Sequence, residues 1–245
     1  MDIITTPSYE ALSKEAASYV SRKVQENPHI VLGLATGSTP TGMYEQLIKD
    51  HITSGTSYQN VTTFNLDEYV RMNKKNPNSY YAFMEKHFFQ HIDIQNELTF
   101  IPDGMSTDPK MECNIYEEKL KNYGPIDLQI LGLGANGHIG FNEPGTSFSS
   151  RTHIVELTDS TRKANSRFFE DIKDVPTHAI TMGIASIMEA KEILLLIAGA
   201  NKRQAYEQLL YGEISEDFPA SILKKHPCVR ILADQSVLDN SSIIA

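Results

Sequence analysis

The sequence predicts an α/β fold, a doubly wound, mainly parallel sheet with helices on both faces. Short apolar runs alternate with amphipathic stretches along nearly all 245 residues, which is the rhythm of βαβ units. Most of these runs are apolar at both odd and even positions, as expected for parallel strands buried on both faces. No linker, repeat or low-complexity tract interrupts the chain, so we predict a single domain over residues 1–245.

Each predicted element is an apolar or amphipathic stretch bounded by turn residues. The predicted strands are His29–Ala35, Asn60–Leu66, Asp127–Gly134, His178–Ile184, Glu192–Gly199 and Cys228–Asp234. The predicted helices are Ser8–Gln25, Pro40–Ile52, Ser79–Ile92, Met111–Gly124 and Lys202–Gly212. Pro40 suits the first position of a helix, Ser79 suits a cap, and two helices end at glycines. Ligands of such sheets bind beyond the carboxyl ends of strands, which directs attention to the residues that follow each strand.

The composition is that of a globular protein with an acidic balance. Hydrophobic residues make up 40% and charged residues 22%, and the net charge is −9. An acidic chain is a poor partner for nucleic acid, although a locally basic pocket can still bind an anionic small molecule. Cys113 and Cys228 form no C-x-x-C pair, so neither a structural zinc site nor a disulfide framework is expected.

The N-terminus and the hydropathy pattern predict a cytoplasmic protein without a membrane partner. Residues 1–16 contain neither the basic nor the apolar segment of a secretory signal. The longest apolar stretch is Ile193–Ala200, far shorter than the roughly 20 residues that span a bilayer.

The turn after the strand at His29–Ala35 has the composition of a phosphate cradle. Gly37, Ser38 and Thr39 lie between the strand and a helix. Free backbone N–H groups, hydroxyls and the positive end of a helix attract phosphate. The alternative is that Ser38 or Thr39 only caps the helix. The P-loop pattern G-x-x-x-x-G-K-[ST] does not occur.

Two further strands are followed by groups that can transfer protons. Asp67 and Glu68 follow the strand Asn60–Leu66, where a carboxylate of raised pKa could act as a base, or could simply form a turn or a helix cap. The glycine-rich segment after Asp127–Gly134 carries Asn136, His138 and Glu143. Its G-x-G-x-x-G pattern could bind a dinucleotide, but the sequence that follows breaks where a helix should begin, so this alternative is weak. A histidine flanked by Asn136 and Glu143 favours acid–base chemistry.

Two cations complete the candidate site. Arg167 lies in TRKANSRFF, and Lys202 follows the strand Glu192–Gly199. A lysine at the start of a helix opposes the helix dipole, so a ligand anion there would relieve the conflict. The alternative for either residue alone is a solvated surface charge.

Together these segments resemble the glucosamine-6-phosphate deaminase family, also called glucosamine-6-phosphate isomerases. The motifs occur in the family's order, as GLATGSTP, NLDEY, GLGANGHIGFNEP, SRTH and TRKANSRFF, followed by the late strand before Lys202. NLDEY and HIGFNEPG are specific, whereas the glycine turn alone is not. The resemblance covers almost the whole chain and implies a parallel α/β domain.

The resemblance implies an enzyme of amino-sugar catabolism and N-acetylglucosamine degradation, a hydrolase or isomerase of an amino-sugar phosphate. Its substrate would be glucosamine 6-phosphate, which with water gives fructose 6-phosphate and ammonia, without a metal or an organic cofactor. Asp67 corresponds to the base that moves a proton between C2 and C1. His138 corresponds to the group that opens the sugar ring, supported by Glu143. Asn136 stands where many members have aspartate, so either Glu143 supplies more of the electrostatic support or ring opening has a different pH dependence.

The resemblance also bears on phosphate binding and regulation. Arg167 and Lys202 correspond to phosphate ligands, together with the turn Gly37–Thr39. Allosteric hexameric members bind N-acetylglucosamine 6-phosphate through an Arg and a Lys two residues apart, where this chain has His153 and Val155. The chain also ends at Ala245, before the C-terminal extension of those members. The resemblance therefore implies a non-allosteric monomer.

Two other functions are compatible with parts of the pattern. A 6-phosphogluconolactonase-like hydrolase would share the phosphate cradle and a histidine, but not NLDEY together with HIGFNEPG. A non-catalytic sugar-phosphate sensor domain would need an attached DNA-binding module, whereas this acidic chain begins with a strand.

Overall fold

The structure is a computed structural model and describes residues 1–238. The prediction that concerns the chain end at Ala245 lies outside the described residues. Seven parallel strands form the main sheet, in the spatial order β1-β10-β9-β6-β2-β3-β5. They are β1 Asp2–Thr6, β2 Val31–Leu34, β3 Thr62–Asn65, β5 Thr99–Phe100, β6 Leu128–Gly132, β9 Ile193–Ile197 and β10 Val229–Asp234. The predicted doubly wound, mainly parallel sheet is confirmed.

Helices cover both faces of this sheet. The α-helices of residues 1–238 are α1 Tyr9–Glu26, α2 Ser38–Ser54, α3 Tyr80–His87, α4 Pro109–Tyr123, α5 Asp159–Asn165, α6 Ile184–Met188, α7 Arg203–Tyr211 and α8 Gln235–Leu238. On one face, α1, α2 and α3 bury side chains such as Leu12 and Tyr44 against alternate strand residues, including Leu32. On the other face, α4, α6, α7 and α8 bury Tyr116 and Leu209 in a second cluster.

A second sheet corrects one of the predicted strands. The strand β8, His178–Thr181, is antiparallel to β4, Asp67–Tyr69, and to β7, His153–Glu156, and it does not join the main sheet. The apolar run at His178–Ile184 gave no sign of this, because burial on both faces produces the same pattern in either sheet. We did not predict β7, whose residues are half-buried or exposed and lack a continuous apolar run.

The ends of the helices follow their capping residues. Ser8 caps α1 and Ser79 caps α3 by accepting backbone N–H groups, while Gly124 and Gly212 follow α4 and α7 as predicted. Helix α2 differs, because it begins at Ser38 with Gly37 as its N-cap, so Pro40 is the third helical residue and not the first. None of the helices within residues 1–238 is long and apolar enough to cross a membrane.

Candidate active site

The direction in which successive strands are added to the main sheet reverses between β2 and β6, and the candidate site lies at this position. From β2 the chain continues to β3 and β5 on one side, and from β6 it continues to β9 and β10 on the other. The loops beyond the carboxyl ends of β2 and β6 therefore diverge and leave a crevice between them. Gly37 lies in the first of these loops, and Asn136 and His138 lie in the second.

The turn between β2 and α2 presents an uncapped helix N-terminus. Gly37 has a φ of +96°, which favours glycine, and no side chain within residues 1–238 caps the helix. The Tyr9 hydroxyl contacts the carbonyl oxygens of Ser38 and Thr39 at 2.8 and 3.1 Å. Capping by Ser38 or Thr39 was the wrong alternative, because Gly37 is the N-cap residue and no side-chain cap hydrogen bond is formed. The first N–H groups of α2 can instead meet an anion.

Asp67 is a buried carboxyl beside the second loop. Its side chain accepts no hydrogen bond from residues 1–238, and a Cβ placed on Gly140 would lie 3.6 Å from its Oδ2 atom. Backbone contacts fix this approach, because Leu66 accepts the N–H of Met182, whose carbonyl accepts the side-chain amide of Asn142. Burial and the neighbouring charge of Glu68 raise the pKa of Asp67 to about 8.

Glu68 has a structural task that distinguishes it from Asp67. Its carboxylate accepts the backbone N–H groups of Tyr69, Tyr80 and Tyr81 at 2.9 to 3.0 Å, which includes the first turn of α3. Burial raises the pKa of Glu68 to about 7, and these hydrogen bonds oppose the increase. The helix-cap interpretation is thus right for Glu68, whereas it is wrong for Asp67.

The glycines of the second loop allow close packing around His138. A Cβ on Gly134 would overlap the imidazole ring of His138, and a Cβ on Gly137, whose φ is +87°, would overlap the ring of Phe218. No helix starts in this loop, which continues instead to β7. The dinucleotide alternative is therefore wrong.

His138, Asn136 and Glu143 converge within this loop. The Asn136 amide donates to Glu143 Oε2 at 2.8 Å and accepts the His138 backbone N–H at 3.2 Å. Imidazole Nδ1 of His138 lies 3.7 Å from Glu143 Oε2, and it is buried without a hydrogen-bond partner within residues 1–238. The predicted trio is thus assembled, with the imidazole facing the carboxylate at slightly more than hydrogen-bond distance.

Glu143 remains ionised although it is buried. Burial opposes the charged form, but the nearby His138 and hydrogen bonds from Thr161 and Asn136 lower the pKa of Glu143 to about 2. A fixed negative charge beside an imidazole stabilises the imidazolium form, which is what a histidine needs in order to gain and release a proton.

Arg167 reaches the turn that contains Gly37, and Lys202 lies close enough to Arg167 to be affected by its charge. The Arg167 guanidinium donates to Ser38 Oγ at 3.1 Å. Lys202 is half-buried, and burial and the nearby charge of Arg167 lower its pKa. Its ammonium group has no hydrogen-bond or ion-pair partner among residues 1–238. Two cations held close together at an uncapped helix N-terminus form a suitable site for a phosphate dianion.

Sequence reasoning missed the hydroxyl groups that hold Glu143. Thr161 donates to Glu143 Oε1, and Thr158 does so at 3.3 Å. A signal was available, because Thr158 is the N-cap of α5 and the polar run LTDST is typical of a helix start. What the pattern did not reveal is that this helix start faces the loop at Glu143. Within residues 1–238 no group of three or more His, Cys, Asp or Glu side chains could hold a metal ion.

Comparisons with known proteins show the family of this chain. The family described as glucosamine-6-phosphate isomerases/6-phosphogluconolactonase matches residues 7–231. This chain belongs to that family. A glucosamine-6-phosphate deaminase of Halalkalibacterium halodurans is 55% identical over 99% of both chains. Glucosamine-6-phosphate deaminase 1 of Bacillus subtilis is 51% identical over 96% of this chain and 97% of its own.

Solved structures of family members separate close from distant relatives. The structure of a monomeric glucosamine-6-phosphate deaminase matches with a TM-score of 0.96 and 50% identity, over 97% of this chain and 99% of its own. The 6-phosphogluconolactonase of Trypanosoma brucei matches with a TM-score of 0.80 but 19% identity, over 98% of both chains. The second likeness extends to the fold alone.

Proposed function

We propose that this chain converts glucosamine 6-phosphate and water to fructose 6-phosphate and ammonia. Deaminases about 50–55% identical over nearly the whole chain support this activity. The observation that carries the proposal is the approach of the buried Asp67 carboxyl to the loop that holds His138 and Glu143. An aldose–ketose isomerisation needs one group that transfers carbon-bound protons and another that transfers oxygen-bound protons. The carboxyl and the separate imidazole suit these two tasks.

Substrate binding begins at the phosphate. Arg167, Lys202 and the N–H groups at Gly37–Thr39 would hold the dianion, since charge-assisted hydrogen bonds to phosphate are stronger than neutral ones. This anchor fixes the far end of the sugar, so that C1 and C2 lie over Asp67. The uncompensated charge of Lys202 supports this role.

Ring opening is assigned to His138. The cyclic sugar must become an open-chain aldehyde before its C2–H bond is acidic. The imidazole takes the proton of the C1 hydroxyl and returns a proton to the ring oxygen as the C1–O5 bond breaks. The ionised Glu143 stabilises the charged imidazole during this exchange, and a positioned acid–base group typically contributes about 10²–10⁴-fold in rate.

Isomerisation and deamination follow at Asp67. The carboxylate form of Asp67, which a pKa of about 8 makes the minor form at neutral pH in the free protein, removes the C2 proton. This gives an enolamine, and the proton returned to C1 gives an imine at C2. Water adds to this imine and the C2–N bond breaks, so that ammonia leaves and the ketose remains. Carbon–nitrogen cleavage by water is the hydrolytic part of the proposed reaction. The steps are proton transfers and water addition, with no net oxidation.

A lactonase is the alternative from the same family. Lactone hydrolysis would use the phosphate cradle and an acid–base group, but it has no step for a buried carboxyl at the position of Asp67. The test is to incubate the purified protein with glucosamine 6-phosphate and, separately, with 6-phosphogluconolactone. We expect ammonia and fructose 6-phosphate in equal amounts from the first substrate. Lactone hydrolysis without ammonia release would reject the proposal.

The proposal extends to assembly and location. We propose a monomer, because the solved structure with a TM-score of 0.96 is that of a monomeric deaminase. We also propose a cytoplasmic enzyme of amino-sugar catabolism that serves N-acetylglucosamine degradation. The unpaired Cys113 and Cys228 thiols agree with a reducing compartment.

A further inference from the structure

A single short segment connects the two halves of the candidate site. It begins at Thr158, the N-cap of α5, and continues through the helix into the 3₁₀ turn Ser166–Phe168. Its first turn contacts Glu143, and its last turn carries Arg167 to Ser38. Only five residues, four in α5 and one in the 3₁₀ turn, separate Thr161 from Arg167.

The contacts at the first turn fix the plane of the Glu143 carboxylate. Thr161 donates to Oε1, and Asn136 donates to Oε2 at 2.8 Å. Thr158 adds a longer contact to Oε1 at 3.3 Å, and donors on both oxygens leave the carboxylate little freedom to rotate. Because the Oε2 atom is 3.7 Å from His138 Nδ1, a displacement below about 1 Å would create a hydrogen bond to the imidazole.

We propose that the Thr161 hydroxyl is a positioning group that orients Glu143 toward His138 and couples this orientation to phosphate binding at Arg167. The proposal rests on the proposed function for the identity of the substrate, but its physical content is independent of turnover. When a phosphate draws the Arg167 end of the segment into the cradle, Thr161 moves with it and pulls Glu143 Oε1. The ring-opening imidazole is thereby prepared only when the sugar phosphate is anchored.

The groups that face Glu143 make this role specific. His138 faces it from the glycine loop, and its proximity lowers the pKa of Glu143. The groups from α5 are the uncharged hydroxyls of Thr158 and Thr161, and Asn136 is an amide. Thr161 is buried at the third position of the helix, while Thr158 already caps it. A purely structural role in starting α5 would therefore fall on Thr158.

The first test compares T161V, which keeps the side-chain shape but lacks the hydroxyl, with T161S, which keeps the hydroxyl. We expect T161V to lower kcat about tenfold or more with little change in KM, because a lost hydrogen bond to a charged group has about this effect. The loss of a donor also raises the pKa of Glu143, so the acid limb of the kcat profile should move to higher pH. T161S should restore both properties. If T161S is as impaired as T161V, or if T161V matches the wild type, the positioning role is wrong.

The second test measures the coupling without any substrate. In protein labelled with ¹⁵N-histidine, H138Q identifies the ring signals of His138, and inorganic phosphate is the probe. We expect phosphate to shift the Nδ1 signal in the wild type and to shift it much less in T161V, although a direct field effect would persist in both. Equal shifts, or none in the wild type, would overturn the coupling. T161A serves in the same way if T161V does not fold.

The two tests separate failure of this inference from failure of the proposed function. If the wild type releases no ammonia from glucosamine 6-phosphate, the proposed function fails, while the phosphate titration still decides whether Thr161 transmits binding to His138. If ammonia is released but phosphate acts equally on the wild type and T161V, only the inference fails.

Discussion

Asp67 and Glu68 are adjacent acids on the strand β4, and their side chains point in opposite directions. Alternation along a strand turns one carboxyl toward Gly140 and the glycine loop, and the other toward the N–H groups of Tyr80 and Tyr81. The first carboxyl is left without hydrogen-bond donors among residues 1–238, which keeps it available to a substrate. The second is saturated, so it stabilises the start of α3.

Replacement of Asp67 by asparagine should abolish deamination and leave substrate binding near normal. An amide has nearly the same shape but cannot accept the C2 proton. The measurement is exchange of the C2 proton with solvent in deuterium oxide, together with ammonia release. Glu68→Gln is the matched control, because it changes the neighbouring acid and should retain exchange despite weaker capping of α3. Exchange retained in Asp67→Asn would remove Asp67 from the role of base.

At the residue scale, the strand-end rule predicted most of the candidate site. Asp67, His138 and Lys202 all follow strands at the carboxyl edge, and sequence position alone directed attention to them. Thr161 was missed because it follows no strand of the main sheet. Its contact with Glu143 depends on how α5 packs against a distant loop, and no local periodicity reports such packing.

At the element scale, the cradle combines one helix start with cations from two other elements. Alanine at Arg167 or at Lys202 should raise KM for glucosamine 6-phosphate about tenfold or more, since a charge-assisted hydrogen bond contributes about 1.5–3 kcal/mol. Lys163→Ala on the exposed side of α5 and Arg203→Ala, next to Lys202, are matched controls that should leave KM unchanged. Steady-state kinetics with each variant provide the measurement. A variant that binds substrate as tightly as the wild type would exclude that residue from the cradle.

The elements differ in how well their sequences predicted them. Most strands of the main sheet lie in apolar runs, and the helix ends at Gly124 and Gly212 carry glycine signals, so these were predicted. Strand β5 was not predicted, because it is only two residues long. The second sheet was not predicted, because β4 is only three residues long and β7 is partly exposed. Strands of this kind are specified by their partners more than by their own residues.

At the scale of the whole molecule, the buried Asp67 lowers stability at neutral pH. Its pKa is about 8 in the folded protein and about 4 in an unfolded chain. Between these values the folded state keeps a proton that the unfolded state releases, so the free energy of unfolding decreases as pH rises. Asp67→Asn removes this pH-dependent decrease in the free energy of unfolding. We therefore expect the variant to gain roughly 2–4 kcal/mol relative to the wild type between pH 5 and pH 8.

Urea unfolding of both proteins at several pH values between 5 and 8 measures this gain. The sign is the informative part, because an ordinary surface aspartate would produce no pH-dependent difference in this range. A difference between the two proteins that stays constant across the range would mean that Asp67 is already ionised in the free protein.

The last prediction concerns allosteric regulation of the proposed monomer. The residues compared with effector ligands lie in β7 of the second sheet. Of the positions compared with the effector ligands of hexameric members, Val155 packs beside the aromatic cluster of Tyr69 and Phe141, and the imidazole of His153 contacts the carbonyl oxygen of Arg151 at 2.9 Å. Val155 offers no group that binds phosphate.

We therefore expect a monomer with hyperbolic kinetics that needs no activator. Light scattering gives the mass in solution, and saturation curves for glucosamine 6-phosphate with and without N-acetylglucosamine 6-phosphate give the regulation. The informative variant is Val155→Lys, which places a cation at this position. It should still give a hyperbolic curve, because a monomer has no second active site to which substrate binding could be coupled. A sigmoidal curve in the wild type that the effector makes hyperbolic would show that the second sheet of this chain binds an effector after all.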